Sequence, residues 1–106
     1  MKEATMARGY WIAHVDVTDP EAYKAYVQAN AIAFAKYGGR FLVRAGRNEP
    51  VEGKLRSRHV VIEFDSYEKA LACYRSPEYQ AALKLRLDVS TGDAVVIEGY
   101  DGPQPG

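Results

Sequence analysis

The sequence predicts a single α+β domain in which helices cover one face of a four-stranded antiparallel sheet. Three observations carry this. Four short runs alternate in polarity with period two. Two longer segments repeat apolar residues every three or four positions and open on helix-start signals. The chain has 106 residues, one domain's worth. The domain is placed at residues 9–101, with 1–8 and 102–106 read as flexible ends.

The first strand is GYWIAHVDV. Trp11, Ala13, Val15 and Val17 form a continuous apolar face, and Tyr10, Ile12, His14 and Asp16 form a mixed one. The apolar face is expected to meet the helices. Thr18-Asp19-Pro20-Glu21 then starts a helix, either with Thr18 as cap and Glu21 completing a capping box or with Asp19 as cap and Pro20 at the first helical position. Tyr23, Tyr26, Val27, Asn30, Phe34 and Tyr37 make its stripe, alanines raise its propensity, and Gly38-Gly39 stops it. The helix is expected over 20–37.

Arg40 to Ala45 reads as the second strand, with Phe41, Val43 and Ala45 opposite Arg40, Leu42 and Arg44. The charged, glycine- and proline-punctuated stretch from Gly46 to Ser57 is a long turn. RHVVIEFD is the third strand, with Val60, Ile62 and Phe64 facing the core and His59, Val61, Glu63 and Asp65 on the mixed face. Asp65-Ser66-Tyr67-Glu68 opens a second helix ending near Arg75. Ser76-Pro77 restarts helical structure to about Leu87. Thr91-Gly92-Asp93 reads as a turn, and AVVIEGY as the fourth strand, with Val96, Glu98 and Tyr100 on the mixed face. The order strand, helix, strand, strand, helix, strand is the ferredoxin-like pattern.

Composition narrows the function. Fourteen basic residues balance fourteen acidic ones, which argues against a general nucleic-acid binder. The single cysteine, Cys73, excludes an internal disulfide or a thiolate zinc cluster, and it reads as a small buried thiol. No apolar run approaches the roughly 20 residues of a membrane span, and MKEATMARGYW lacks a signal peptide's apolar stretch. A cytoplasmic protein is expected. Phosphate-loop and nucleophile-elbow motifs are absent. Eight tyrosines against three phenylalanines leave many aromatic positions with a polar handle.

The face of the sheet that the helices leave bare is too apolar to be simply solvated and too polar to be an ordinary core. A homodimer with sheets face to face would bury it. The runs GYWIAHVDVTDPEAYKAY, KYGGRFLVR, HVVIEFDSYEKALACYRSPEYQAAL and VVIEGYDG closely resemble the DUF1330 family of small bacterial proteins, from Gly9 to Pro105. That resemblance implies the dimeric α/β-barrel superfamily, which includes cofactor-free monooxygenases, lactone isomerases, heme-degrading enzymes and transcriptional effector domains. It implies no reaction and no catalytic set, since fold does not select among functions.

The residues themselves suggest a polar cluster. His14 on strand one and Glu63 on the neighbouring strand three are expected side by side, as a general base and its orienter or as a satisfied structural pair. Arg44, with Arg40 or Arg58 as alternatives, is the expected anion anchor, with His59, Tyr10 and Glu98 around it. Asn30, an amide on an apolar stripe, needs a partner and is a candidate ligand contact. No cofactor is expected, and the histidines lack the spacing of a metal site. The leading expectation is a homodimer that binds a small acidic organic compound in a cavity between sheet and helices, as a cofactor-free isomerase or monooxygenase-like enzyme. The alternative is a non-catalytic sensing or structural dimer.

Overall fold

A computed structural model describes residues 7–106; the flexible end expected at 1–8 lies largely outside them. The elements are β1 (Gly9–Val17), α1 (Pro20–Tyr37), β2 (Arg40–Arg44), β3 (Arg58–Phe64), α2 (Tyr67–Arg75), α3 (Pro77–Leu87) and β4 (Ser90–Glu98). Local chemistry sets most of these limits. Asp19 is the cap of α1: its carboxylate accepts a hydrogen bond from the Ala22 amide at 3.2 Å, with Pro20 following at the first helical position. Gly38 ends α1 at φ 74°, a left-handed conformation that costs glycine little. Ser76 serves two helices. Its hydroxyl donates to the Cys73 carbonyl at 2.7 Å and accepts from the Tyr79 amide at 3.1 Å, closing α2 and opening α3.

The strands run antiparallel in the order β2-β3-β1-β4. The ferredoxin-like α+β architecture is therefore as expected, but the barrel is not. The sheet is open, with β2 and β4 as two separate edges. Four strands cannot wrap round on themselves; about eight are needed for an interior just wide enough for side chains.

The core lies between the sheet and the three helices. Trp11 is its centre, 6% exposed. Its ring meets Tyr79 at 4.8 Å and Phe34 at 5.0 Å, both edge-on, and its indole N–H donates to the Ala70 carbonyl at 2.8 Å. Val15, Ile62, Phe64, Ala70 and Ala82 complete the packing. Each large apolar side chain buried here contributes roughly 1.5–3 kcal/mol. β1 passes close under α2: a Cβ on Gly9 would lie 2.3 Å from the Ser66 carbonyl oxygen, so only glycine fits there.

Two strands depart from the alternation expected of them. In β2 the register shifts between Phe41 and Val43, so that Phe41 pairs with Ile62 while Val43 pairs with Val61 and Arg44 with Val60. The bulge turns Arg44 to the helix-covered face and Val43 to the bare one, the reverse of the expected assignment. In β4 the strand begins at Ser90, so Thr91-Gly92-Asp93 is strand and not turn. Val96 pairs with Trp11, and Val95 and Ile97 pair with Ile12 and Tyr10. Val95 and Ile97 therefore lie on the bare face, and Val96 and Glu98 do not. Val95, Val96 and Ile97 are apolar in succession, so alternation alone left this strand's facing undetermined. No helix among the described residues is long and apolar enough to cross a membrane.

Candidate functional site

The bare face of the sheet carries two polar rows with an apolar band between them. In the first row Tyr10 lies opposite Glu63 and donates its hydroxyl to the carboxylate at 3.0 Å. Arg40 donates to the other oxygen from Nε at 3.2 Å and Nη2 at 3.1 Å. The Tyr10 hydroxyl foremost, aided by Arg40, holds the Glu63 carboxyl below its usual range, and the same hydrogen bond raises Tyr10. The second row begins with His14 and His59, paired across β1 and β3 with their Nδ1 atoms 2.8 Å apart. Arg56 joins Asp16 at 3.1 Å and Asp93 at 2.9 Å beside them. The Ser57 amide, donating to Asp16, lowers that carboxyl, with Arg56 assisting.

This geometry corrects the expected His14–Glu63 pair. The antiparallel register gives Glu63 to Tyr10 and gives His14 to His59, four residues along the strand. Glu63 is already committed to Tyr10 and Arg40, so it does not orient an imidazole.

Between the rows runs the apolar band, with Ile12 and Val61 flanked by Val43, Val95 and Ile97. The last three are 42%, 49% and 45% exposed.

The other face of the sheet forms a chamber with the helices. Its interior leaves about 50 Å³ open to the centre of a water molecule. That is a few times what one water needs. Trp11, Phe34, Phe41 and Tyr74 give it aromatic walls. Arg44, brought here by the bulge, lies with its guanidinium 4.0 Å from the Phe41 ring centre. Arg58 lies over Tyr23 at 5.4 Å and Arg86 over Tyr26 at 5.5 Å. No aspartate or glutamate lines the chamber, and none of the three arginines joins an ion pair among the described residues.

The polar groups here are short of partners. The Nε atoms of Arg58 and Arg86 and the Oδ1 of Asn30 are buried without a hydrogen bond among the described residues. Buried groups of this kind are uncommon, because each forfeits its hydration. The Tyr26 and Tyr79 hydroxyls share one hydrogen bond at 2.8 Å. Burial pushes the Tyr79 and Tyr23 hydroxyls up, so they remain protonated and the chamber keeps its positive charge. Cys73 lies outside it, fully buried, its thiol pushed up to about 12 by desolvation; as read from the sequence, it is buried, and its thiolate is disfavoured.

Of the residues singled out in the sequence, His14, His59, Tyr10 and Glu63 lie on the bare face, whereas Arg44 and Asn30 line the chamber. His14 and Arg44 therefore stand on opposite sides of the sheet and cannot act on one molecule within a chain. Glu98 is exposed at the far end of β4, opposite Gly9, and joins neither group. Arg86 was missed. It continues the Tyr79–Ala82 stripe of α3 at helical spacing, and a cation on a buried stripe is a readable signal. Arg58, an alternative anchor in the sequence, does line the chamber, sharing the parity of Val60, Ile62 and Phe64, whereas Arg40 stays on the bare face with Glu63. Among the described residues no group of three or more His, Cys, Asp or Glu is placed to hold a metal.

Known structures share this fold. A protein of unknown function from Rhodopseudomonas palustris superposes with a TM-score of 0.70 at 18% identity, over 95% of this chain and 86% of that one. SnoaB, a cofactor-independent oxygenase from Streptomyces nogalater, gives 0.62 at 14% identity, over 93% and 96%. A dimeric ferredoxin-like protein of unknown function from Bacteroides fragilis gives 0.59 at 17%, over 86% and 95%. At these identities the likeness is one of fold. No curated protein matches the sequence. Residues 8–100 match a single family along nearly the whole chain, and the protein belongs to the DUF1330 family, a domain of unknown function.

Proposed function

We propose that this protein binds a small organic acid in the chamber between sheet and helices. One observation carries the reading: three arginines converge on an aromatic-walled pocket that contains no carboxylate. A bound acid would supply the missing counter-charge and accept from the unpartnered Nε groups of Arg58 and Arg86. Arginine suits this role through its planar, forked donors. Mostly apolar walls with a few convergent polar groups are the usual make-up of a small-molecule site.

This is a binding function first. The isomerase or oxygenase expectation requires a proton acceptor beside the bound acid, and the lining has neither histidine nor carboxylate. Titration calorimetry with benzoate tests the proposal on the wild type and on the double variant Arg58→Met, Arg86→Met. Binding is expected to weaken about 10- to 100-fold in the variant, the loss of roughly 1.5–3 kcal/mol for a charge-assisted contact. Equal affinity in both proteins, or no binding of benzoate or hexanoate to the wild type, overturns it.

A second reading concerns the bare face. Its apolar band is bordered by polar rows whose charges are already paired within the chain, which suits contact with a second copy of the same surface. Self-association through this face is accordingly part of the proposal.

A further inference from the structure

The chamber's polar groups are not all at one end. Tyr23 and Tyr26, over which Arg58 and Arg86 lie, occupy the first two turns of α1. Asn30 sits on the same stripe, one to two turns further along. At 1.5 Å per residue this is about 6–10 Å along the helix axis. Asn30 is only 5% exposed, lines the chamber, and leaves its Oδ1 without a hydrogen bond. Its flanking stripe residues, Tyr26 and Phe34, make no hydrogen bond to that oxygen; the Tyr26 hydroxyl bonds that of Tyr79.

We infer that the ligand is a monocyclic aromatic acid bearing a hydroxyl group opposite its carboxylate, the acid held by Arg58 and Arg86 and the hydroxyl by Asn30. This rests on the anion-binding reading above and specifies its substrate class. The acid end follows from the unpaired guanidinium groups. The arginines lie against the first two turns of α1 and Asn30 lies further along it, so a ligand reaching both carries polar groups at its two ends. The ring's character follows from the walls: Trp11, Phe34, Tyr74 and Tyr79 present aromatic faces and edges against which a flat ring packs. A hydroxyl both donates and accepts, so it can satisfy either end of the Asn30 amide. A site built to hydrogen-bond a ligand hydroxyl also discriminates strongly against the analogue that lacks it, because the amide is then left buried and unpaired.

The test compares 4-hydroxybenzoate with benzoate by titration calorimetry on the wild type, on Asn30→Leu and on Asn30→Ser. The wild type is expected to prefer 4-hydroxybenzoate at least tenfold. Asn30→Leu is expected to erase that preference while still binding benzoate, and Asn30→Ser to retain part of it. Circular dichroism melting confirms that each variant is folded; should Asn30→Leu not fold, Asn30→Ser alone must show the reduced preference. Equal binding of the two acids by the wild type overturns this inference and leaves the anion site standing. A wild-type preference that persists unchanged in the folded variants overturns the role of Asn30. Failure of both acids to bind overturns the anion site and this inference together.

Discussion

The two faces of the sheet are unsatisfied in opposite ways. On the bare face the charges have found one another: Glu63 with Tyr10 and Arg40, and Asp16 and Asp93 with Arg56. What lacks a partner there is the apolar band of Val43, Val95 and Ile97. In the chamber the aromatic groups are packed and polar atoms are left over: the Nε atoms of Arg58 and Arg86 and the Oδ1 of Asn30 have no hydrogen bond among the described residues. An unpaired apolar surface is completed by another protein surface. Unpaired polar groups in a confined, apolar space are completed by a small polar molecule. One sheet thus presents two different deficits, and they point to two different kinds of occupant.

Three perturbations separate the faces. The largest effect belongs to Trp11, the shared wall of chamber and core. Trp11→Ala is expected to cost about 3–5 kcal/mol, partly because the Ala70 carbonyl loses its buried donor. Urea unfolding should show a lower midpoint with little change in slope. A loss below about 1 kcal/mol would mean that the ring is not packed as described.

Next is Ile97→Lys, which places a charge in the bare face's apolar band and touches nothing in the chamber. It is expected to shift the protein toward monomer in sedimentation velocity while leaving benzoate affinity unchanged. Coupled loss of both would show that the two faces are not independent.

The smallest effect is acid sensitivity, and it should arise on the bare face and at the Lys36–Glu78 pair on the helices, but not in the chamber, which has no carboxylate. Glu63 and Asp16 titrate lower in the fold than in the unfolded chain. The unfolded chain therefore takes up protons first as pH falls. The stability these groups contribute is complete above about pH 5 and is lost as pH drops through their folded values. Melting temperature should fall over that range, and Glu63→Gln should flatten the fall. An unchanged profile in Glu63→Gln would remove Glu63 from this account.

How far the sequence could be read depended on whether each signal was local. Asp19-Pro20, Gly38-Gly39, Ser66 and Ser76-Pro77 act on backbone groups within a few residues. The limits of β1 and all three helices were therefore legible, as was the helix-facing side of β1 and β3. Asn30 stood out as an amide on an apolar stripe for the same reason. The site as a whole was not legible, because it depends on register. The bulge after Phe41 moved Arg44 from one face to the other, and β4, apolar at consecutive positions, took its facing from Trp11 and not from its own pattern. Pairing partners such as His14 and His59, or Tyr10 and Glu63, are chosen by hydrogen bonds between strands far apart in the chain. A shift of one residue reverses every side chain. Composition and local pattern thus determined which elements form. Only the tertiary structure decided that three arginines and an asparagine would share a chamber while the histidines were left on the other side.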